Sequence, residues 1–530
     1  MNAFAGTGTL FRFALRRDRV MLPAWVYALT AATASTAVSF EKLYPDAGSR
    51  ERLAASLAGD SSLRALYGPL HDATTIGGIT AWRMGVFGAA LAGLMSILLV
   101  VRHTRAEEED GRLELVRAGA VGHRAPLTAA LLTAALADLL LAALVTAALV
   151  LLGQGAAGSA AFGLALAACG LVFAAVAAVT AQLAGTGRAA NGSACAVLGL
   201  AYALRAAGDS AGGGLSLLSP IGWSERVEPF AADRWWVPAL AAAFAALLTA
   251  AAYALLARRD LGAGLFPSRP GRATGVPALR TPLALAWRLQ RGTLYGWCAG
   301  FAVGGAVFGG VAKGVLDLVR GNSGVADVLR RIGGRDAVLD AYLSTVLGLL
   351  GMLAAVYAVQ SVLRLRGEET GGRAEPVLGT AVSRLRWAAG HLLFPLLGSA
   401  LVLAVGGLAA GLAEAAATGG SSAAAAARLL GAALVQLPAV WLTAAAATAL
   451  FGLAPGWTPA AWGVLAVFLL IGWLGPVLRF GRWLLDLSPF THLPHLPGGA
   501  FDAEPLLWLT LLAAALTAAG LAGLRRRDLG

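Results

Sequence analysis

The sequence predicts an all-α polytopic membrane protein of about twelve transmembrane helices, arranged as two tandem six-helix halves. Three observations predict it. Apolar residues come in long runs, basic residues segregate to alternate connections, and short motifs recur in register half a chain apart.

Of the 530 residues, 58% are hydrophobic and only 13% charged, and the mean hydropathy is +0.72. A soluble chain of this length must solvate its surface with more charge than that. Stretches such as 126–153, 161–185 and 460–478 are almost uncharged. Roughly 20 apolar residues in a helix cross the hydrocarbon layer of a bilayer. There every backbone N–H and C=O needs an internal partner, which a helix supplies. In chain order the expected spans lie near 20–40, 79–101, 128–152, 161–184, 192–206, 236–257, 294–316, 341–363, 387–413, 426–453, 460–478 and 506–524.

The charges then orient the spans. With the amino terminus inside and twelve crossings, both termini are cytoplasmic. The inner segments hold 25 of the 41 Lys+Arg and 11 of the 29 Asp+Glu, and the outer ones 12 basic and 17 acidic residues. Basic residues are retained on the inner side of a membrane, where anionic lipid is their counterpart. The net charge of +12 is therefore a topology signal, and nucleic acid is not an expected partner. Arg12, Arg16, Arg17 and Arg19 directly precede the first span and read as the flank of an uncleaved anchor. Cys169, Cys195 and Cys298 lie in apolar runs without paired spacing and read as packed thiols. Lysine occurs only twice while Arg and Ala abound, a bias that associates with bacterial genomes rich in G and C.

Four motif pairs define the halves. Arg16-x-x-Arg19-x-x-Leu22-x-x-Trp25 matches Arg288-x-x-Arg291-x-x-Leu294-x-x-Trp297. After the second span of each half, a segment with Arg105, Glu107, Glu108, Gly111, Arg112 and Glu114 matches one with Arg366, Glu368, Glu369, Gly372, Arg373 and Glu375. Near each end, Leu218-Ser219-Pro220 matches Leu487-Ser488-Pro489, and Arg258-Arg259-Asp260-Leu261-Gly262 matches Arg526-Arg527-Asp528-Leu529-Gly530. The halves are then 1–268 and 281–530, joined by a cytoplasmic linker at 269–280 in a stretch rich in Pro, Gly and Arg. Six spans per half give both the same orientation, a parallel repeat related by a pseudo-twofold axis along the membrane normal, and the interface between halves is the natural transport path.

The charged segments between the second and third spans, 102–126 and 364–386, are the most informative. They could be solvated loops whose arginines only set topology. Topology, however, needs only arginine, and the carboxylates of Glu107, Glu108 and Glu114 are repeated at Glu368, Glu369 and Glu375. Acids retained beside the arginines point to specific pairing, within the segment or with a partner. The pattern Arg-x-Glu-Glu-x-x-Gly-Arg-x-Glu after the second of six spans resembles the coupling segment of type-2 ATP-binding-cassette exporter permeases. The whole chain resembles the fused twelve-span antibiotic and polyketide exporters of that group. The resemblance implies a separately encoded ATPase, two copies per chain, docking on these segments. It also implies a re-entrant outer hairpin between the fifth and sixth spans, for which 212–236 and 487–505 supply material, and export of a hydrophobic or amphipathic small molecule across a bacterial plasma membrane.

The chain itself has no P-loop. That motif needs Gly-Lys-Ser/Thr around the phosphates, but Lys42 and Lys313 follow Glu41 and Ala312. ATP and Mg are therefore expected on the partner and no cofactor on this chain. The histidines are scattered, with His492 and His495 in a Pro-rich outer loop, and no catalytic constellation or metal site is evident. Asp138, in the third span, is the notable intramembrane polar group, since a carboxylate there is costly. It reads as paired with a neighbour such as Arg205 or as a protonated acid, and less well as a substrate contact or proton relay. The position 261 residues on is Ser399, so the acid is not shared. Arg83, Lys313 and Gln436 read as edge or helix-to-helix contacts, and 49–67 and 324–342 as helical stretches on the outer membrane surface. The rival reading is a secondary transporter driven by an ion gradient, which would favour a relay of intramembrane acids.

Overall fold

The structure is a computed structural model that describes residues 2–57, 61–117, 119, 121–211, 214–260, 262–266, 281–312, 334–474 and 481–528. The linker expected at 269–280, Lys313 and the outer stretch up to 333 lie outside the described residues. Among the described residues every regular element is helical. Two compact units divide the chain, Met1–Gly271 and Arg272–Gly530.

Among the described residues, ten helical segments are long and apolar enough to cross a membrane. They answer to ten of the twelve expected spans. At the other two places helices also form, Gly187–Ala211 and Pro282–Gly310, but each falls short of the apolar criterion. The first carries Arg188, Arg205 and Asp209. The second begins with Arg288 and Arg291 and is diluted by glycines.

In the first unit the core is the pair Ile76–His103 and Ala156–Leu183, the two most thoroughly buried long helices there. Small residues let them approach: a Cβ on Gly88 would press on Leu166, and one on Gly93 would meet Phe173. Helix association in lipid depends on such close packing, because lipid tails are as apolar as the side chains. Helices Met21–Leu43, Ala125–Leu151, Gly187–Ala211 and Trp236–Leu256 pack around this pair. Their outward leucines, such as Leu139, Leu144 and Leu247, stay exposed, as faces meant for lipid do.

The second unit uses the same device more severely. Gly305 and Gly309 of helix Pro282–Gly310 lie against the backbone of Gly406 and Ala410 in helix Ser399–Thr418. Gly452 and Gly520 bring helices Leu437–Leu453 and Glu504–Arg526 into backbone contact. Between Arg384–Leu393 and Ser399–Thr418 runs one π-helical turn, Phe394–Gly398, containing Pro395. Proline withholds an N–H and displaces its turn. Side chains brace this turn: Tyr357 Oη donates to Phe394 O at 3.3 Å and Trp441 Nε1 to Leu396 O at 3.2 Å.

The Gly452–Gly520 contact leaves no room for a side chain. Gly452→Val should lower the melting midpoint of the purified protein in detergent by about 5 °C or more, the range expected for overpacking by a kcal/mol or two. Gly463→Val, which meets open space, should leave it within about 1 °C.

Candidate functional site

The charged segment of the first unit starts where helix Ile76–His103 breaks. Thr104 leaves helical geometry, and its hydroxyl donates back to Val100 O at 2.6 Å. A short helix, Arg105–Glu109, follows, then a turn at Gly111, then helix Arg112–Arg117. In the second unit the long helix Gly334–Thr370 carries the matching residues without a break and turns at Gly372. Gly111 and Gly372 have φ of +71° and +67°, a left-handed geometry that favours glycine. The glycine repeated in sequence is thus a turn repeated in space.

The acids divide into two classes. Glu107 pairs with Arg17 and, at 3.4 Å, with Arg112. Glu108 accepts from Arg105 at 2.5 Å and from both terminal nitrogens of Arg259, at 2.8 and 2.6 Å. In the second unit Glu368 pairs with Arg364 at 2.9 Å and Arg373 at 3.0 Å. Glu369 meets Arg366 at 3.2 Å and both terminal nitrogens of Arg527, at 2.7 and 2.9 Å. These four carboxylates are held inside their own unit. Glu114 and Glu375, by contrast, are exposed, beside the exposed guanidinium of Arg112 in one unit and of Arg373 in the other.

Of the expected arginine partners, Arg105, Arg112, Arg366 and Arg373 do bind acids of the segment. The sequence reading missed Arg259 and Arg527. Both sit just past the last helix of their unit, 151 and 158 residues from the glutamates they grip. The signal was present as the repeated Arg-Arg-Asp-Leu-Gly motif, used only as a marker of the repeat. Around the first clamp the backbone converges as well. Arg105 donates to Gly185 O at 2.9 Å, Gly262 O at 3.1 Å and Ala263 O at 3.2 Å, and Arg259 Nε donates to Gln182 Oε1 at 2.7 Å. In the second unit Arg527 lies 4.8 Å over the Phe451 ring, and its carbonyl accepts from Arg384 at 2.5 Å.

The Ser-Pro motifs also act alike. Ser219 and Ser488 are wholly buried. Ser219 Oγ donates to Ala201 O at 2.7 Å and Ser488 Oγ to Phe468 O at 2.8 Å, fastening each short Pro-initiated helix to the long helix before it.

With 47% identity over 528 residues, the chain matches the "Multidrug efflux system permease protein Rv1217c" of Mycobacterium tuberculosis (strain ATCC 25618 / H37Rv), covering 99% of this chain and 96% of the relative. The chain belongs to that permease family. The family described as "Multidrug efflux system permease Rv1217c, C-terminal domain" matches residues 279–525, nearly all of the second unit. As a permease the protein is a transport protein rather than an enzyme, and its long apolar helices make it a multi-pass membrane protein.

Within this permease Asp138 is wholly buried, and its carboxyl accepts from Ser96 Oγ at 2.9–3.0 Å. Its partner is Ser96 and not Arg205. In the second unit the positions 261 residues on are Tyr357 and Ser399, where the tyrosine bonds the π-turn instead. Arg205 lies with Asp209 and Glu225, each at 3.4 Å. Burial pushes the Glu225 carboxyl well up, with Arg205 drawing it partly back. Arg83 stacks over Tyr67 at 4.1 Å, and Gln436 is buried against Gly351. Because Asn keeps an acceptor for Ser96, Asp138→Asn should keep the melting midpoint within about 2 °C and transport close to wild type. Loss of transport by a well-folded variant would instead favour a proton relay.

Proposed function

We propose that this chain is the membrane-spanning permease of an ATP-driven, ABC-type exporter, moving hydrophobic or amphipathic compounds out of a bacterial cell. The observation that carries the reading is the repeated charged segment. In each unit a glycine turn presents an exposed glutamate and arginine, Glu114 with Arg112 and Glu375 with Arg373. Behind that turn, buried carboxylates fix the segment to its own unit. Such an arrangement suits a rigid handle offered to a partner better than a loop that only sets topology.

The partner in this reading is a separate ATPase, two copies to match two segments, carrying the ATP and Mg. The absence of a P-loop lysine motif from the sequence supports placing hydrolysis elsewhere. Closure of the ATPase dimer on ATP would push on both segments, and their rigidity would pass the push into the membrane helices. The name of the Mycobacterium tuberculosis relative supports drugs as cargo. The positive inner segments support a plasma-membrane location with both termini in the cytoplasm. The parallel duplication of the two halves and the count of twelve spans belong to the same proposal. The proposed roles then divide. Glu114, Glu375, Arg112 and Arg373 meet the ATPase. Glu107, Glu108, Glu368 and Glu369, with Arg105 and Arg366, hold shape around the turns at Gly111 and Gly372.

Purified alone, the chain should hydrolyse no ATP. Co-expressed with its ATPase and reconstituted in vesicles, it should export ethidium only when ATP is supplied. Export driven by a proton gradient without an ATPase would establish the rival. Reversing the exposed acids together, Glu114→Lys with Glu375→Lys, should weaken ATPase binding about tenfold in a pull-down titration while insertion stays normal. Like-charge contacts at an interface cost on the order of a few kcal/mol. Unchanged binding would return these two residues to a solvated loop.

A further inference from the structure

We propose that Arg259 and Arg527 are positioning residues that make the last helix of each unit the element through which the coupling segment moves the membrane domain. The inference rests on the ATP-driven reading above and deepens it, since it names the mechanical route.

Three observations carry it. First, both arginines grip with both terminal nitrogens, on the second glutamate of the segment. The contacts are 2.6–2.8 Å in the first unit and 2.7–2.9 Å in the second. A guanidinium bound by two parallel N–H donors fixes orientation as well as distance, which a lysine cannot do. Second, the grip is shielded from water. The side chains of Arg259, Glu108 and Glu369 are 4%, 5% and 3% exposed, and that of Arg527 is 14%. Ion pairs at such a depth are little screened and do not exchange freely with solvent, whereas exposed ones contribute little. Third, each glutamate is shared by two arginines, one from the segment and one from the helix end: Arg105 with Arg259, and Arg366 with Arg527. The carboxylate is a pivot between two cations that would repel one another without it.

The surroundings differ while the grip is the same. In the first unit Gln182 accepts from Arg259 and two carbonyls past the last helix take Arg105. In the second, Phe451 packs under Arg527 and Arg384 holds its carbonyl. A contact kept while its packing is replaced points to the contact itself as the working part. A push on the segment is then passed to helices Trp236–Leu256 and Glu504–Arg526 directly, through a pair more than 150 residues apart in the chain.

The test uses the full chain with its co-expressed ATPase in proteoliposomes, reading ethidium exported per ATP hydrolysed. Arg259→Gln with Arg527→Gln should keep the ATPase bound and hydrolysing while export per ATP falls about tenfold, within the usual range of coupling between sites. Arg259→Lys with Arg527→Lys, which keeps charge without the fork, should fall about threefold and serves if the first variant does not fold. A merely structural arginine would not pass the next measurement. In a background with Cys169, Cys195 and Cys298 replaced by Ala, cysteines at 108, 259, 369 and 527 are bridged by a short bis-thiosulfonate reagent, which forms a disulfide with each thiol and releases sulfinate. Bridging should restore export per ATP, and reduction should abolish it again. A wild-type ratio in the Gln or Lys variants, or a bridge that forms without restoring export, overturns the proposal. If the wild-type chain shows no ATP-driven export at all, the functional reading itself fails and takes this inference with it. A failure confined to the variants touches the route alone.

Discussion

A carboxylate held between two guanidiniums away from water is the interaction on which the arrangement of each unit's charged segment depends. Removing one partner of such a group leaves a buried charge uncompensated, which costs about 3–5 kcal/mol. Glu108 and Glu369 therefore tie three things together in their unit: the end of the long second-span helix, the turn that follows it, and the end of the last helix. Everything exposed at the turn is exposed from a fixed base. Without the clamp, the turn that leads to Arg112 and Glu114 would lose that anchor.

The apolar interior imposes the same rule in quieter form. Several polar groups away from water find partners within their own unit: Asp138 takes Ser96, Ser219 and Ser488 take backbone carbonyls, and Tyr357 and Trp441 take carbonyls of the π-turn at Pro395. Glycines then set how closely the helices approach. At Gly305, Gly309, Gly452 and Gly520 the backbone itself is the packing surface, and close packing replaces the hydrophobic drive that lipid removes.

The helical membrane character was legible because it is written locally. A run of apolar residues long enough to span is visible without knowing its neighbours, and so is a glycine repeated at the same place in a charged motif. Two expected spans are less apolar than the rest where an arginine or glycines interrupt them, as at Arg205 and Gly304. What the sequence did not disclose is long-range partnering. Nothing periodic links Arg259 to Glu108 across 151 residues, and a lone Asp138 offers several plausible partners until helix Ile76–His103 sets Ser96 against it. The Arg-Arg-Asp-Leu-Gly repeat was in view, but a repeat says that a residue is retained and not what it touches. The division of the acids into buried and exposed pairs depends on the fold of the turn, which the motif alone does not fix.

In the proposed exporter the two glycine turns are docking handles for a separate ATPase. Site-specific photocross-linking in native membranes tests it most directly. A photoreactive amino acid is placed at position 114 or 375, at buried positions 108 or 369, or at position 501, expected on the outer side, with the ATPase co-expressed. Positions 114 and 375 should each capture the ATPase, while positions 108, 369 and 501 should capture far less. No capture from either turn, or equal capture from position 501, would contradict it.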